Sequence, residues 1–147
     1  MKVLIEADGC PVVQETIALC KKYNIACLIL CDTAHEFHRD GADTLVFDKG
    51  ADSVDYAIAN RVRQNDLVIT QDYGLASMCL SRGCRVLHQD GWEYTCDNID
   101  ALLLVRHESR KHRAAGGRFK GPKKRSAQQD HTFETTLRSL LQTSVQG

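Results

Sequence analysis

The sequence has no hydrophobic run long enough to cross a membrane. Its apolar stretches are short, and none approaches the roughly 20 residues that span a bilayer. The first of them, Val3-Leu4-Ile5, is interrupted at once by Glu6 and Asp8. We therefore expect no secretory signal and a soluble protein of the cytoplasm.

The seven cysteines include no CxxC pair, and their number is odd. Both features argue against a zinc site and against a disulfide framework. Most of the cysteines lie in apolar stretches, so we predict reduced, buried thiols that behave as small apolar side chains. Cys10, beside Pro11, is a candidate for an activated thiol at a helix N-terminus, although packing beneath a strand end is the simpler interpretation.

The chain has no net charge, because 19 Lys and Arg balance 19 Asp and Glu. The two signs are nevertheless separated, since residues 1–109 carry an acidic excess and residues 110–125 hold eight basic residues and no acidic one. Such a block favours binding of a polyanion, and its candidate nucleic-acid ligands are Arg113, Arg118, Lys120, Lys123, Lys124 and Arg125. The alternatives are a solvated linker and a segment that docks on the protein's own acidic face.

The length of 147 residues is typical of a single domain. Short apolar runs predict strands, and 3.6-residue spacing of apolar side chains predicts helices between them, with Pro11 in the first turn of the first helix. Because the strands lack polar alternation, we predict an α/β fold with a mainly parallel sheet covered on both faces, in three layers α/β/α. The predicted organisation is a core at residues 1–109, a flexible basic loop at 110–126 and a C-terminal helix within 127–147 that packs on the core.

Acidic residues follow two of the predicted strands. Side-chain alternation puts Glu6 and Asp8 on one side where the first strand ends, and it does the same for Thr70 and Asp72 at the fourth. Ligands of open α/β sheets lie beyond the carboxyl ends of the strands, so these acids are candidates for one shared site. Asp8 and Asp72 also lie near predicted helix starts, where capping is the alternative role.

The helix that follows the third strand adds a further candidate, Asp55, spaced three residues from Asp52 on one helical face. Asp48 lies one turn earlier, and Asp52 is itself a natural helix cap. Several carboxylates that meet at one point stay ionised only with a cation between them. Oxygen ligands of this kind suit Mg²⁺ or Mn²⁺, and the matching chemistry is hydrolysis of phosphodiesters.

Two other groupings have alternative interpretations. His35 and His38 with Asp32 have the spacing of a metal site, but the polar loop around them favours surface histidines. The sequence around Glu6 superficially resembles the motif of aspartyl-nucleophile phosphatases. That chemistry needs an aspartate where this chain has Glu6, so we give it little weight.

Three blocks of the sequence carry a family resemblance: V-L-I-E-A-D-G-C-P-V at the start, then D-L-V-I-T-Q-D-Y-G-L-A-S-M-C-L-S-R-G-C, and finally G-G-R-F-K-G-P-K-K-R-S-A-Q-Q-D-H-T-F. They resemble the three blocks of the YaiI/YqxD family of uncharacterised bacterial proteins, the first of which begins D-A-D-A-C-P-V. The resemblance implies a PIN-like fold, whose better-known members are metal-dependent nucleases. It also implies Asp8, Asp55 and Asp72 as matched acidic positions, whereas Glu6 departs from the family's usual Asp.

Two functions follow as expectations. The first is a metal-dependent nuclease that hydrolyses phosphodiester bonds of RNA or DNA, with RNA the favoured partner. In it, Asp8, Asp55 and Asp72 are the catalytic residues, and these three together with Glu6 are the ligands of Mg²⁺ or Mn²⁺. The second is a protein that binds nucleic acid or nucleotides without catalysis, through the same basic segment.

Overall fold

The computed structural model describes residues 1–34, 36, 38–50, 53–114 and 124–146, with only the backbone described for 106–114 and 146. Within these residues the chain forms six strands and five helices. The strands are β1 (Lys2–Glu6), β2 (Ala26–Asp32), β3 (Asp43–Phe47), β4 (Leu67–Ile69), β5 (Arg85–Leu87) and β6 (Glu93–Tyr94). The helices are α1 (Val13–Lys22), α2 (Ser53–Arg61), α3 (Tyr73–Ser81), α4 (Cys96–Ala114) and α5 (Ala127–Gln146).

The six strands form one sheet in the order β3-β2-β1-β4-β5-β6. All neighbouring pairs are parallel except β5 and β6, which are antiparallel. The mainly parallel sheet is therefore confirmed. The sequence patterns do not predict β6, which is only two residues long and closes the edge of the sheet.

Helices cover both faces of the sheet, because each central strand is apolar on both sides. Val3 and Ile5 of β1 face the layer that contains α1 and α5. Leu4 of the same strand faces the layer that contains α2 and α3. All three side chains are fully buried. The predicted three-layer α/β/α architecture is confirmed.

The helix ends differ in how well the sequence predicts them. Gly83, with φ +81°, follows α3 in the left-handed conformation that favours glycine. The first helix starts later than predicted: α1 begins at Val13, and the N–H of Thr16 donates the first helical bond to the carbonyl of Val12 at 3.1 Å. Pro11 therefore belongs to the turn before α1, and placing it in the first helical turn is wrong.

The last two helices flank the basic segment. The helical backbone of α4 continues through Ala114, past the predicted start of the loop at residue 110, and residues 115–123 lie outside the described chain. Helix α5 buries Phe133, Leu137, Leu140 and Leu141 against the sheet layer of α1. Among the described residues, no helix combines the length and apolarity that a membrane span requires.

The order of the strands creates one crevice at the carboxyl edge of the sheet. From β1 the chain moves outward to β2 and β3, and it then returns to place β4 on the other side of β1. The crossover connections leave β1 and β4 in opposite directions, so their carboxyl ends are the switch point where ligands of open α/β sheets bind.

Candidate metal centre

Glu6 is the last residue of β1 and projects toward the layer of α2 and α3. Thr70, just beyond β4, donates its hydroxyl hydrogen to Oε2 of Glu6 at 2.6 Å. The same hydroxyl oxygen accepts the backbone N–H of Asp72 at 2.9 Å. Because the hydroxyl accepts from the backbone, its hydrogen is directed at Glu6. Thr70 therefore fixes the position of that carboxyl group.

Asp72 is the N-cap of α3, where its Oδ1 accepts the N–H of Leu75 at 3.0 Å. The capping role that its position suggests is therefore real. Capping uses one carboxylate oxygen, and Asp72 also lines the crevice between β1 and β4. Structural and site roles coexist in this residue.

Asp55, in the first turn of α2, completes a compact acidic group. One carboxylate oxygen each from Glu6, Asp55 and Asp72 lies within 4.8 Å of the other two. The three side chains are half-buried, and they come from three separate elements. They line a cleft of about 110 Å³ whose walls also include Asp8, Asp32 and Ser53.

The acidic group changes the proton affinity of Glu6. Burial raises the pKa of its carboxyl from 4.5 to about 8, the hydrogen bond from Thr70 opposes this rise, and the charges of Asp55, Asp72 and Asp8 add to it. At neutral pH and without a cation, Glu6 is therefore mostly protonated. A divalent cation would remove this repulsion and favour the ionised carboxylate.

The geometry suits a small oxygen-bound cation. Oxygens that share one Mg²⁺ at about 2.1 Å lie no more than about 4.2 Å apart. The spread of at most 4.8 Å among the three carboxylates needs only small side-chain movements to reach that range. Glu6, Asp55 and Asp72 are therefore the residues that could hold the ion.

The structure groups the predicted acids differently from the sequence. Asp8 and Asp72 line the same cleft, but the compact group contains Glu6 rather than Asp8. Asp32 ends β2, next to β1, and lines the cleft although sequence reasoning assigned it to a loop with histidines. Asp48 is exposed, and Asp52 lies outside the described residues.

None of the cysteines or histidines whose side chains the structure describes belongs to this acidic group. All seven cysteines are free thiols, of which five are buried. Burial raises the pKa of Cys10 to about 11, so this thiol is not activated. Nε2 of the exposed His38 lies 3.1 Å from a carboxylate oxygen of Glu36, and His35 lies outside the described residues.

After the gap at residues 115–123, the described part of the basic segment resumes at Lys124, which is exposed. The guanidinium of Arg125 donates to Asp130 at 2.6 Å, to Asp90 at 2.8 Å and to the carbonyl of Gln89 at 2.6 Å. Arg125 therefore anchors this end of the segment to the loop after β5. Arg118, Lys120, Lys123 and the side chain of Arg113 lie outside the described residues, so their predicted role stays a prediction.

Comparison with known proteins agrees with the resemblance seen in the sequence. The model of the family described as Uncharacterized BCR, YaiI/YqxD matches residues 4–143. Similar relatives include UPF0178 proteins of Exiguobacterium sibiricum (50% identical over 141 residues, 96% of each chain) and Natranaerobius thermophilus (39% over 141 residues, 96% of each chain). A UPF0178 protein of Clostridium acetobutylicum is 40% identical over 143 residues, 96% of this chain and 97% of its own. No solved structure matches the chain.

Proposed function

The chain belongs to the YaiI/YqxD family of uncharacterised bacterial proteins, and we propose that it hydrolyses phosphodiester bonds of nucleic acid with a divalent cation. One observation carries this proposal: Glu6, Asp55 and Asp72, from three elements, converge at the switch point of the sheet. The PIN-like relationship that the sequence resemblance implies is consistent with it, as an analogy of fold.

In this proposal Glu6, Asp55 and Asp72 hold Mg²⁺ or Mn²⁺. When bound, the cation would polarise the phosphate and lower the pKa of a water molecule. Thr70 keeps the Glu6 carboxyl in place, and the cap on α3 does the same for Asp72. Asp8, in the wall of the cleft, would accept the proton of the attacking water.

The basic segment would supply the attraction for phosphates that an acidic cleft lacks. Of its predicted ligands, Lys124 is exposed, and Arg125 is engaged internally with Asp90 and the carbonyl of Gln89 in the loop after β5. We propose nucleic acid, RNA before DNA, as the partner. We also place the reaction in the cytoplasm, where seven free thiols would stay reduced.

The test compares the wild type with Asp55→Asn, Asp72→Asn and, as a matched control, Asp97→Asn, which changes an exposed acid of α4. Labelled single-stranded RNA and DNA are incubated with Mg²⁺, with Mn²⁺ and with a chelator. We expect cleavage to fall at least about 100-fold in the first two variants, because loss of a residue behind a metal ligand already costs 10–100-fold. Asp97→Asn should keep full activity.

Metal binding is measured independently, as the rise in thermal midpoint that Mn²⁺ produces in each folded variant. Undiminished cleavage by clean Asp72→Asn protein would overturn the proposal. Salt-sensitive binding by a wild type that never cleaves with either metal would replace it with the non-catalytic binding function.

A further inference from the structure

A cluster of aromatic side chains lies beside the carboxylates, around the turn between β5 and β6. The chain has only one Trp and four Tyr, yet Trp92, Tyr94 and Tyr73 meet there together with His88. The rings of His88 and Trp92 stack with centroids 4.4 Å apart at 12°. Tyr94 makes edge contacts with Trp92 at 4.6 Å and with Tyr73 at 5.9 Å.

The strand register places this cluster next to the metal centre. Ile5 pairs with Ile69, and Ile69 pairs with Leu87, so the next residue of each strand, Glu6, Thr70 and His88, falls in one row. Neighbouring strands lie about 4.8 Å apart, which puts the Cα atoms of Glu6 and His88 about 10 Å from each other. The cluster and the metal centre are also adjacent in the sequence, because Tyr73 directly follows Asp72.

The cluster keeps aromatic surface accessible. Trp92 and Tyr73 are half-buried, with their inner sides packed on the core layer of α2 and α3. His88 covers one face of the indole, so the exposed part of Trp92 lies away from His88. Exposed aromatic side chains are the groups on which single-stranded nucleic acids stack their bases.

The turn that carries His88 and Trp92 is rigidly held. The N–H of His88 donates to the carbonyl of Trp92 at 2.9 Å, and Gly91 has φ +92°. A Cβ at Gly91 would lie 2.7 Å from the backbone of Thr132 in α5, so only glycine fits there. Arg125 clamps the same turn through Asp90 and the Gln89 carbonyl. A pre-formed surface binds without the entropy loss of ordering its side chains.

His88 contributes as a neutral ring. Its Nδ1 accepts the N–H of Asp90 at 3.0 Å, which leaves the hydrogen on Nε2. Burial lowers the pKa of His88, the Asp90 carboxylate opposes this, and Arg125 adds to it. Stacking of an uncharged imidazole on the indole therefore persists at neutral pH.

The hydroxyl of Tyr94 is a second feature of the cluster. It is buried and makes no hydrogen bond to the described residues. Tyr94 makes its edge contact with Tyr73, which directly follows Asp72, and burial, with the charges of Tyr73, Asp72 and Glu6 added, raises the pKa of Tyr94. A buried donor without a partner is costly, and an oxygen of a ligand or water at the boundary between the two sites would satisfy it.

We infer that Trp92, Tyr73 and His88 form a binding site for a nucleobase of a single-stranded nucleic acid whose phosphate lies at the carboxylates. This inference rests on the proposed function, because it takes the neighbouring cleft as the phosphate site. The two sites lie about two strand spacings, roughly 10 Å, apart, so one short single strand can contact both.

The only Trp of the chain is the probe for this site. The folded protein, loaded with Mn²⁺, is titrated with a hydrolysis-resistant phosphorothioate RNA oligomer and with an abasic oligomer of the same length and charge. We expect the base-containing oligomer to quench the fluorescence of Trp92 and the abasic one to leave it unchanged. Equal quenching, or equal affinity of both oligomers, would overturn the inference.

Variants test the same site by anisotropy of the labelled oligomer. Trp92→Leu should weaken binding of the base-containing oligomer about 5- to 100-fold, the range for loss of one base–aromatic stack, and should leave abasic binding unchanged. Tyr73→Leu keeps the fluorescent probe and serves if Trp92→Leu does not fold. The matched control is Tyr23→Leu, a half-buried aromatic at the end of α1 on the opposite face of the sheet, which should bind like the wild type. A Trp92→Leu or Tyr73→Leu protein with unchanged base preference contradicts the site.

Cleavage of unmodified oligomers separates this inference from the proposed function. Base-dependent quenching without cleavage of any oligomer overturns the nuclease but supports the stacking site. Equal cleavage of abasic and base-containing oligomers with equal Michaelis constants supports the nuclease and overturns the stacking site.

Discussion

Two acidic side chains, the buried Asp66 and the half-buried Glu6, lie at opposite ends of the β1–β4 strand pair, and their surroundings differ. Asp66, before β4, is 5% exposed. It accepts the N–H of Lys2 at 3.0 Å and the N–H of Arg63 at 2.9 Å, and the Lys2 ammonium lies 3.4 Å away. Glu6, at the other end, accepts one hydroxyl hydrogen and faces other carboxylates.

The difference separates a structural acid from a candidate ligand. At Asp66 the protein itself supplies donors and a positive charge, so the buried carboxylate stabilises the start of both strands. At Glu6, burial raises the pKa of the carboxyl to about 8, and the neighbouring carboxylates add to this rise instead of offsetting it. Grouped carboxylates of this kind are costly without a cation, and perturbed proton affinity is typical of functional sites.

The largest expected effect is the pH dependence of stability at Glu6. Its pKa is about 8 in the folded protein and near 4.5 in the unfolded chain, so folding favours the protonated form. The stabilisation is complete below about pH 4.5 and is lost progressively as pH rises to about 8. Without cations, Glu6→Gln should therefore be more stable than the wild type at pH 9 by about 2–4 kcal/mol, with little difference at pH 4.5.

Urea unfolding in the presence of a chelator, at intervals from pH 4.5 to pH 9, measures this difference. Glu134→Gln, a half-buried acid on α5, is the control for removal of one negative charge. Parallel pH profiles of the wild type and Glu6→Gln would show that Glu6 does not carry the shifted proton.

A divalent cation should stabilise the protein through the Glu6 end of the strand pair and not through the Asp66 end. At 100 times its dissociation constant, Mn²⁺ should raise the free energy of unfolding of the wild type by about 2.7 kcal/mol. The gain should disappear in Asp55→Asn and persist in Asp66→Asn. Calorimetry at pH 8 measures the gain in each protein. A gain that is lost in Asp66→Asn and kept in Asp55→Asn would reverse the assignment of the two ends.

Asp66→Asn should destabilise the protein by about 2 kcal/mol at neutral pH. The amide has one acceptor where the carboxylate has two, so the N–H of either Lys2 or Arg63 loses its partner, and the ion pair with the Lys2 side chain is lost. Chemical denaturation with Asp40→Asn, an exposed acid, as control measures the loss. Equal stability of the two variants would mean that Asp66 is not a structural acid.

Much of the fold is predictable from the sequence because the central strands are buried on both sides. Continuous apolar runs such as Val3-Leu4-Ile5 and Leu67-Val68-Ile69 place apolar side chains on both faces of a strand, which is the pattern of a parallel sheet covered on both sides. Strand β6 has no such run. Its two residues, Glu93 and Tyr94, pair with β5 because the chain reverses at Gly91, which is a tertiary effect of contact with α5.

The candidate site is only partly predictable for a related reason. Alternation along a strand predicts that Glu6 and Asp8 share a side, but β1 ends at Glu6 and the chain turns at Gly9, with φ +67°. The direction of Asp8 is then set by the turn rather than by the strand. Asp55 reaches the cleft because α2 packs against this face. The turn between β5 and β6 brings His88, Trp92 and Tyr94 together, and only Tyr73 joins them through the strand order.

The smallest expected effect concerns the hydroxyl that links the two sides of the cleft. Thr70→Val keeps the shape of the side chain but removes the donor to Glu6 and the acceptor for the N–H of Asp72. Stability should fall by about 1 kcal/mol, and the pKa of Glu6 should rise further because the Thr70 bond lowers it. In the same urea unfolding series with a chelator, the fall in stability with rising pH should therefore move to higher pH.

Thr44→Val is the matched control. The hydroxyl of Thr44 is buried without a hydrogen bond to the described residues, so its removal should not lower the free energy of unfolding. If both variants follow the pH profile of the wild type, Thr70 does not hold Glu6, and the cleft is less ordered than its hydrogen bonds imply.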